Sequence, residues 1–350
     1  MKNRIALLIM LFGLFSMVQA ADPQREWRRV YDLRGQWRFF IGDNPAWAKP
    51  DFDDSEWFKI FAPSNWENEG YPGYDGYAWY RKTFEVKSAE HLYVHLGTID
   101  DVDQVYINGK RIGYTGLFPP DYSTGYNVDR IYKIPAFCLR TDRKNFIAIR
   151  VYDAEFEGGL VRGNLGIYEK LNEPELIKSL EGLWKFATGD NPNCAKYNYD
   201  DSRWNELFVP LSWEAQDYNY NGYAWYRLHF KLSSDYKNER LVLLLGKIDD
   251  LDETYLNGKM IGKTGIIKNN PLDIRIEGDE WQKVRAYDID EKDIYFDRDN
   301  VLAVRVYDGL VQGGIYEGPI GIITKNEYLK WREKYQDRPF DFFKIFQFLK

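Results

Sequence analysis

Between residues 223 and 232 the chain alternates: Ala224, Tyr226, Leu228, Phe230 and Leu232 fall on one side, and Tyr223, Trp225, Arg227, His229 and Lys231 on the other. A period of two belongs to a strand with one buried face. The same alternation runs earlier, with Ala78, Tyr80, Phe84 and Val86 inside and Lys82 interrupting the stripe, as at a sheet margin. Both segments begin with Gly-Tyr-Ala-Trp-Tyr-Arg, at 76–81 and again at 222–227. Short apolar runs at 92–96 and 241–245 predict further strands, each leading through Ile99-Asp100-Asp101-Val102-Asp103 or Ile248-Asp249-Asp250-Leu251-Asp252 into a hairpin. The hairpins turn at Asn108-Gly109 and Asn257-Gly258, a pair of residues that accepts the positive φ of a tight turn.

The echo extends along most of the chain. Gly42-Asp43-Asn44-Pro45 returns as Gly189-Asp190-Asn191-Pro192, Asp53-Asp54-Ser55 as Asp200-Asp201-Ser202, Trp66-Glu67 as Trp213-Glu214, and Arg150-Val151-Tyr152-Asp153 as Arg305-Val306-Tyr307-Asp308. Register slips in a Tyr-rich loop just before each hexapeptide, and the copies diverge most at 116–144 and 265–299, the second being longer. About eight short strands per copy with almost no helix pattern predict an all-β protein of two tandem β-sandwich (jelly-roll) domains. Their expected bounds are 27–170 and 177–324, joined near Asn172-Glu173-Pro174 and followed by a helical or aromatic tail at 325–350.

Lys2 and Arg4, an apolar run at 5–15 and Val18-Gln19-Ala20 read as a signal peptide over residues 1–20, implying a secreted or periplasmic product. No later run is long enough to span a bilayer. The net charge of −7 argues against nucleic acid. Cys138 and Cys194 sit at non-equivalent places in the copies, and with only three His no zinc-ligand spacing arises.

Pro-x-x-Trp-Glu, Tyr-Ala-Trp-Tyr-Arg, Gly-x-Ile-Asp-Asp-x-Asp, Tyr-x-Asn-Gly-Lys and Asn-x-x-Ala-x-Arg-Val-Tyr-Asp, in that order, resemble the galactose-binding-like jelly-roll module. That module is the sugar-binding domain of family 2 glycoside hydrolases and is also embedded in bacterial sialate O-acetylesterases. The resemblance implies an oligo- or polysaccharide partner. It places catalysis in a separate barrel of roughly 250 residues, for which no segment remains here. Asn172-Glu173-Pro174 resembles a barrel acid/base motif but falls in the linker. None of the His residues has an Asp three positions before it, as the esterases require.

Sugars stack on aromatic rings while polar side chains hold their hydroxyls. The Tyr-rich loops offer Trp66, Tyr71, Tyr74, Asp75 and Tyr77 in the first copy and Trp213, Tyr218, Tyr220 and Tyr223 in the second. Both tryptophans can equally cap the core. Trp79, Arg81, Trp225 and Arg227 fall on the outer strand face, where a structural clamp and ligand contact compete, and Asp153 and Asp308 precede Gly-rich loops. No cofactor is required, although Asp100-Asp101-Asp103 and Asp249-Asp250-Asp252 have the oxygen-rich composition that calcium prefers as well as that of turns. The aromatic tail at 340–349 packs on the body or meets a protein partner. The expected function is an exported, non-catalytic carbohydrate-binding protein, possible accessory to a glycoside hydrolase. The alternatives are a glycosidase or esterase with an unrecognised site, and a structural interaction module.

Overall fold

Ala78, Trp79, Tyr80 and Arg81 are consecutive in one strand, Gly76–Phe84, and all four are buried, so both faces of this strand are covered. The computed structural model describes residues 26–335 apart from 269, 277 and 311. The segments read as a signal peptide and as the aromatic part of the tail lie outside the described residues.

Strands of the first half form a six-stranded and a five-stranded sheet, and those of the second half a six-stranded and a four-stranded sheet. Gly76–Phe84 pairs antiparallel with Asn145–Asp153 along its whole length, from Gly76 opposite Asp153 to Phe84 opposite Asn145. Gly222–Lys231 repeats this against Asp299–Asp308. Their inner faces supply the cores, with Tyr80, Phe84 and Ile149 packed against Val94 and Ile167 in the first half, and Tyr226, Phe230 and Val304 against Leu243 and Ile322 in the second. The fold is all-β and jelly-roll-like, as the alternation implies. Lys82, which breaks the apolar stripe, is half-buried and carries its ammonium to the carbonyl oxygens of Leu33 (2.8 Å) and Arg34 (3.1 Å).

The outer face departs from expectation. The segment from Asp43 to Trp57 folds back over it, and Trp47, Phe52 and Trp57 close around Trp79. Arg81 donates to Asp54 Oδ2 (2.7 Å) and to the carbonyl oxygens of Lys49 (2.9 Å) and Trp47, so it fastens this segment to the sheet. Arg227 does the same with Asp201 Oδ2 (2.6 Å) and Lys196 O (3.1 Å), over Trp225. Trp79, Arg81, Trp225 and Arg227 are therefore clamps held by a nearby acid, one of their two expected roles, but they are interior, with no surface for a ligand, which corrects the ligand-contact reading and the exposed position. A repeated Asp-Asp-Ser motif upstream of each strand supplies the partner carboxylate, Asp54 or Asp201.

Each divergent segment contributes one strand, Asp129–Lys133 and Val284–Ile289. The helix Lys325–Tyr335 follows the last strand. Its Tyr328 packs with Val242, Leu244 and Ile323, and Trp331 Nε1 donates to Asn172 O at 2.9 Å. The Asn-Glu-Pro linker is thus a structural joint, with Glu173 accepting from the Tyr93 hydroxyl at 3.2 Å. Cys138 and Cys194 are buried free thiols. The halves touch through Phe137 on Phe208, at 4.7 Å between ring centroids, and through the Lys133–Glu181 ion pair.

Candidate functional site

Three carboxylates meet at one end of the first half because two strands end there. Leu92–Asp100 delivers Asp100 and Asp101 at the step into Val102–Ile107, and Asn145–Asp153 delivers Asp153. Asp249, Asp250 and Asp308 meet in the same way in the second half, and in each cluster one carboxylate oxygen from each residue lies within 4.8 Å of the other two. Asp153 is fully buried with both oxygens unpartnered among the described residues, and Asp308 is fully buried with Oδ2 unpartnered among them.

Asp103 and Asp252, read in the sequence as part of these acidic runs, are not in the clusters. Arg130 Nε donates to Asp103 Oδ1 at 2.7 Å and Arg285 Nε to Asp252 Oδ1 at 2.9 Å, all four side chains being fully buried. The same guanidinium groups donate to the carbonyl oxygens of Asp101 (2.9 Å) and Asp250 (2.6 Å) and so position the clusters from behind. Sequence reasoning missed both arginines because they lie in the divergent segments, yet each sits in a shared Arg-x-Tyr tripeptide, Arg130-Ile131-Tyr132 and Arg285-Ala286-Tyr287. The tyrosines complete the motif, donating to Asp103 Oδ2 at 2.8 Å and Asp252 Oδ2 at 2.9 Å.

Burial and the negative charge of Asp101 and Asp100 push the Asp153 carboxyl up to about 8. Burial, with Glu214 and Asp250 nearby, raises Asp308 to about 7. Asp100 and Asp249 are raised by burial and by their hydrogen-bonded neighbours Asp101 and Asp250. Asp101 stays below the ordinary range: burial works against it, but donors from Thr124, Tyr122 and the Ala154 N–H stabilise its charge.

Beside the first cluster lies an aromatic face. Tyr77 stacks on Phe118 (5.9 Å, 8° between planes) and touches Tyr152 (4.7 Å), which meets Tyr122 edge-on at 5.7 Å. The Arg150 guanidinium lies 4.2 Å from the Phe118 ring centroid and 4.9 Å from that of Tyr77, held by Asp43 Oδ1 at 2.7 Å. Phe118, Tyr77 and Tyr152 are partly exposed and Tyr122 is exposed. Phe118 and Tyr122 come from a divergent segment without a repeat to mark them, and Arg150 was legible only as a fold motif.

The second half closes the equivalent place. Tyr223 is buried with Leu251 and Ile267, flanked by Ile274 and Tyr307, and its hydroxyl donates to Lys268 O at 2.5 Å. The longer divergent segment is the plug. Tyr223, expected as a ligand contact, is therefore covered by its own chain.

The other loop candidates serve mainly as scaffolding. Trp66 and Trp213 are fully buried core caps, so of their two readings the cap stands and the sugar platform does not. Trp66 Nε1 donates to Tyr74 O at 3.0 Å, and a Cβ at Gly158 or Gly313 would strike the Trp66 or Trp213 ring at 2.2 or 1.8 Å. Tyr71, Tyr74, Tyr218 and Tyr220 are partly buried against the two cores. Tyr74 donates to Tyr77 O at 2.7 Å and Tyr220 to Tyr223 O at 3.0 Å, stiffening the loop. Asp75 is exposed and adds to the negative field at Asp153.

The aromatic face borders a cleft of about 440 Å³ between the halves, lined by Gln104, Phe118 and Arg150 on one side and Glu214, Asn219 and Asn221 on the other. Glu214 Oε2 accepts from the Gly313 N–H at 3.0 Å while Oε1 is buried and unpartnered, and burial raises this carboxyl to about 7. Planar rings beside amides, carboxylates and a guanidinium suit a ligand with apolar C–H faces and many hydroxyls.

No family model matches the chain. The β-galactosidase BoGH2A of Bacteroides ovatus is 30% identical over 161 residues, an alignment covering 41% of this chain and 18% of that protein. A putative β-glucuronidase of Formosa agariphila is 28% identical over 158 residues, covering 41% of this chain and 14% of that protein. The chain thus spans less than a fifth of the length of these curated relatives. Among solved structures, a β-glucuronidase of Bacteroides uniformis aligns with a TM-score of 0.36 at 16% identity, covering 83% of this chain and 28% of that one. Among the described residues no helix is long and apolar enough to cross a membrane. Over about two fifths of its length this all-β chain is thus similar in sequence to parts of a β-galactosidase and of a putative β-glucuronidase.

Proposed function

We propose that the protein is an exported, non-catalytic carbohydrate-binding protein that acts beside a glycoside hydrolase. Its ligand site is the open aromatic face of the first half together with the adjoining cleft. The observation that carries this reading is the stack of Phe118 on Tyr77 under Arg150, partly exposed at the mouth of a cleft lined by Glu214, Asn219 and Asn221. A pyranose ring laid on Phe118 would bury its C–H face while its hydroxyls reach the amides and carboxylates. Relationship to sugar-processing proteins supports the ligand class. The buried tryptophans take no part in contact.

Affinity electrophoresis and calorimetry on a panel of plant and host polysaccharides test the reading. Native protein is retained on at least one glycan, and Phe118→Ala weakens that binding by about tenfold or more, equivalent to about 1.4 kcal/mol, without altering the melting temperature. Failure of the native protein to bind any glycan would overturn it, as would hydrolysis of the bound glycan by rigorously purified protein.

A further inference from the structure

We propose that each acid cluster, Asp100, Asp101 and Asp153 in the first half and Asp249, Asp250 and Asp308 in the second, binds one divalent cation of the calcium class. In each cluster, one carboxylate oxygen from each of the three residues lies within 4.8 Å of the other two. Oxygens that share one calcium ion sit about 2.3–2.6 Å from it, hence no more than about 5 Å apart. Three carboxylates can therefore converge on a single ion with the backbone left in place.

Buried oxygens without donors point independently to a ligand. Asp153 is fully buried, and among the described residues neither of its carboxylate oxygens has a hydrogen-bond partner; Asp308 is fully buried and its Oδ2 has none among them. A carboxylate left buried without a donor is costly, and among the described residues no side-chain cation pairs with these oxygens. Arg130 and Arg285, the buried guanidinium groups behind the clusters, direct their donors to Asp103 or Asp252 and to backbone carbonyls. Meanwhile the Ala154 N–H holds Asp101 Oδ2 at 3.1 Å and the Gly309 N–H holds Asp250 Oδ2 at 3.0 Å, which fixes the direction of these carboxylates. Calcium accepts irregular geometry and several oxygens, and water completes its shell. The competing occupant is a proton, shared within the Asp100–Asp101 or Asp249–Asp250 pair or held on Asp153 or Asp308.

The test uses the full chain, freed of metal with a chelator and titrated with calcium chloride alone at pH 7. With no sugar present, the outcome is independent of the glycan reading. Calorimetry and elemental analysis after gel filtration are expected to give two equivalents of calcium per chain. Asp153→Asn and Asp308→Asn each remove one equivalent, the double variant removes both, and the calcium-induced rise in melting temperature falls in step. Asparagine keeps the shape of aspartate and removes the ionisable oxygen, so folding is retained, as circular dichroism would verify. No calcium on the native chain at millimolar concentration overturns the proposal and leaves the proton as the occupant. Undiminished binding in the double variant overturns it as well, and a single variant that loses nothing overturns it for that cluster.

Discussion

Arg111, in the hairpin of the first half, donates to the carbonyl oxygen of Glu214 in the second at 2.6 Å. The same guanidinium reaches Ala215 O at 2.8 Å and Asp217 Oδ1 at 2.7 Å. Asp217 is exposed, so that ion pair contributes little. The two carbonyl contacts are charge-assisted and hold the loop that forms one wall of the cleft. Arg111→Ala is expected to weaken glycan binding several-fold while each half stays folded. Differential scanning calorimetry would show it as one unfolding transition separating into two.

Arg130→Met and Arg285→Met each leave an aspartate buried with its charge uncompensated. Removing one partner of such a pair typically costs about 3–5 kcal/mol, and chemical denaturation is expected to show a loss of that order in the half concerned. Adding Asp103→Asn to Arg130→Met should recover part of it, because the orphaned charge is then gone.

Gly158 is in contact with the face of Trp66. Gly158→Ala forces the ring or the loop to move, since the added methyl would lie 2.2 Å from the indole. Overpacking of this kind costs about 1–3 kcal/mol. Trp66→Ala is expected to cost about 3–5 kcal/mol as a fully buried aromatic. In both variants any loss of glycan affinity should track the loss of stability measured by urea titration, in contrast to Phe118→Ala.

The pH dependence follows from Asp153 and Asp308, raised from an ordinary 3.8 to about 8 and about 7. Each carboxyl holds its proton more tightly in the folded chain than in the unfolded one. The stabilisation is complete below the unfolded value and is lost as pH rises through the folded one. In chelator, the melting temperature contribution of these groups should fall between about pH 4 and pH 8, and Asp153→Asn should flatten that slope.

Much of the fold was legible in the sequence because alternation, Asn-Gly turns and repetition all specify sheets. The inward face of Gly222–Lys231 was visible in Ala224, Tyr226 and Phe230. Its outward face was not, because burial of Trp225 and Arg227 depends on a distant segment, around Asp201, folding back over the sheet. No local period encodes that contact. The site was harder still. Asp153 and Asp308 were visible as loop-entry residues, but their meeting with Asp100-Asp101 and Asp249-Asp250 arises from pairing between strands about fifty residues apart in sequence. Phe118 and Tyr122 were hidden because they occupy a stretch where the halves share no pattern, and nothing in the repeated hexapeptide separates Tyr223 from Tyr77, because the Ile267 that packs against Tyr223 comes from that divergent stretch.

That isoleucine plug bears on how the protein would meet a polymer. A chain with two open faces could bridge neighbouring polysaccharide strands and would gain strength from engaging both at once. With one face open and the other filled by its own loop, the proposed glycan site occurs once per chain: such a protein would decorate a polysaccharide without cross-linking it, and binding would saturate at one chain per glycan segment with no added turbidity.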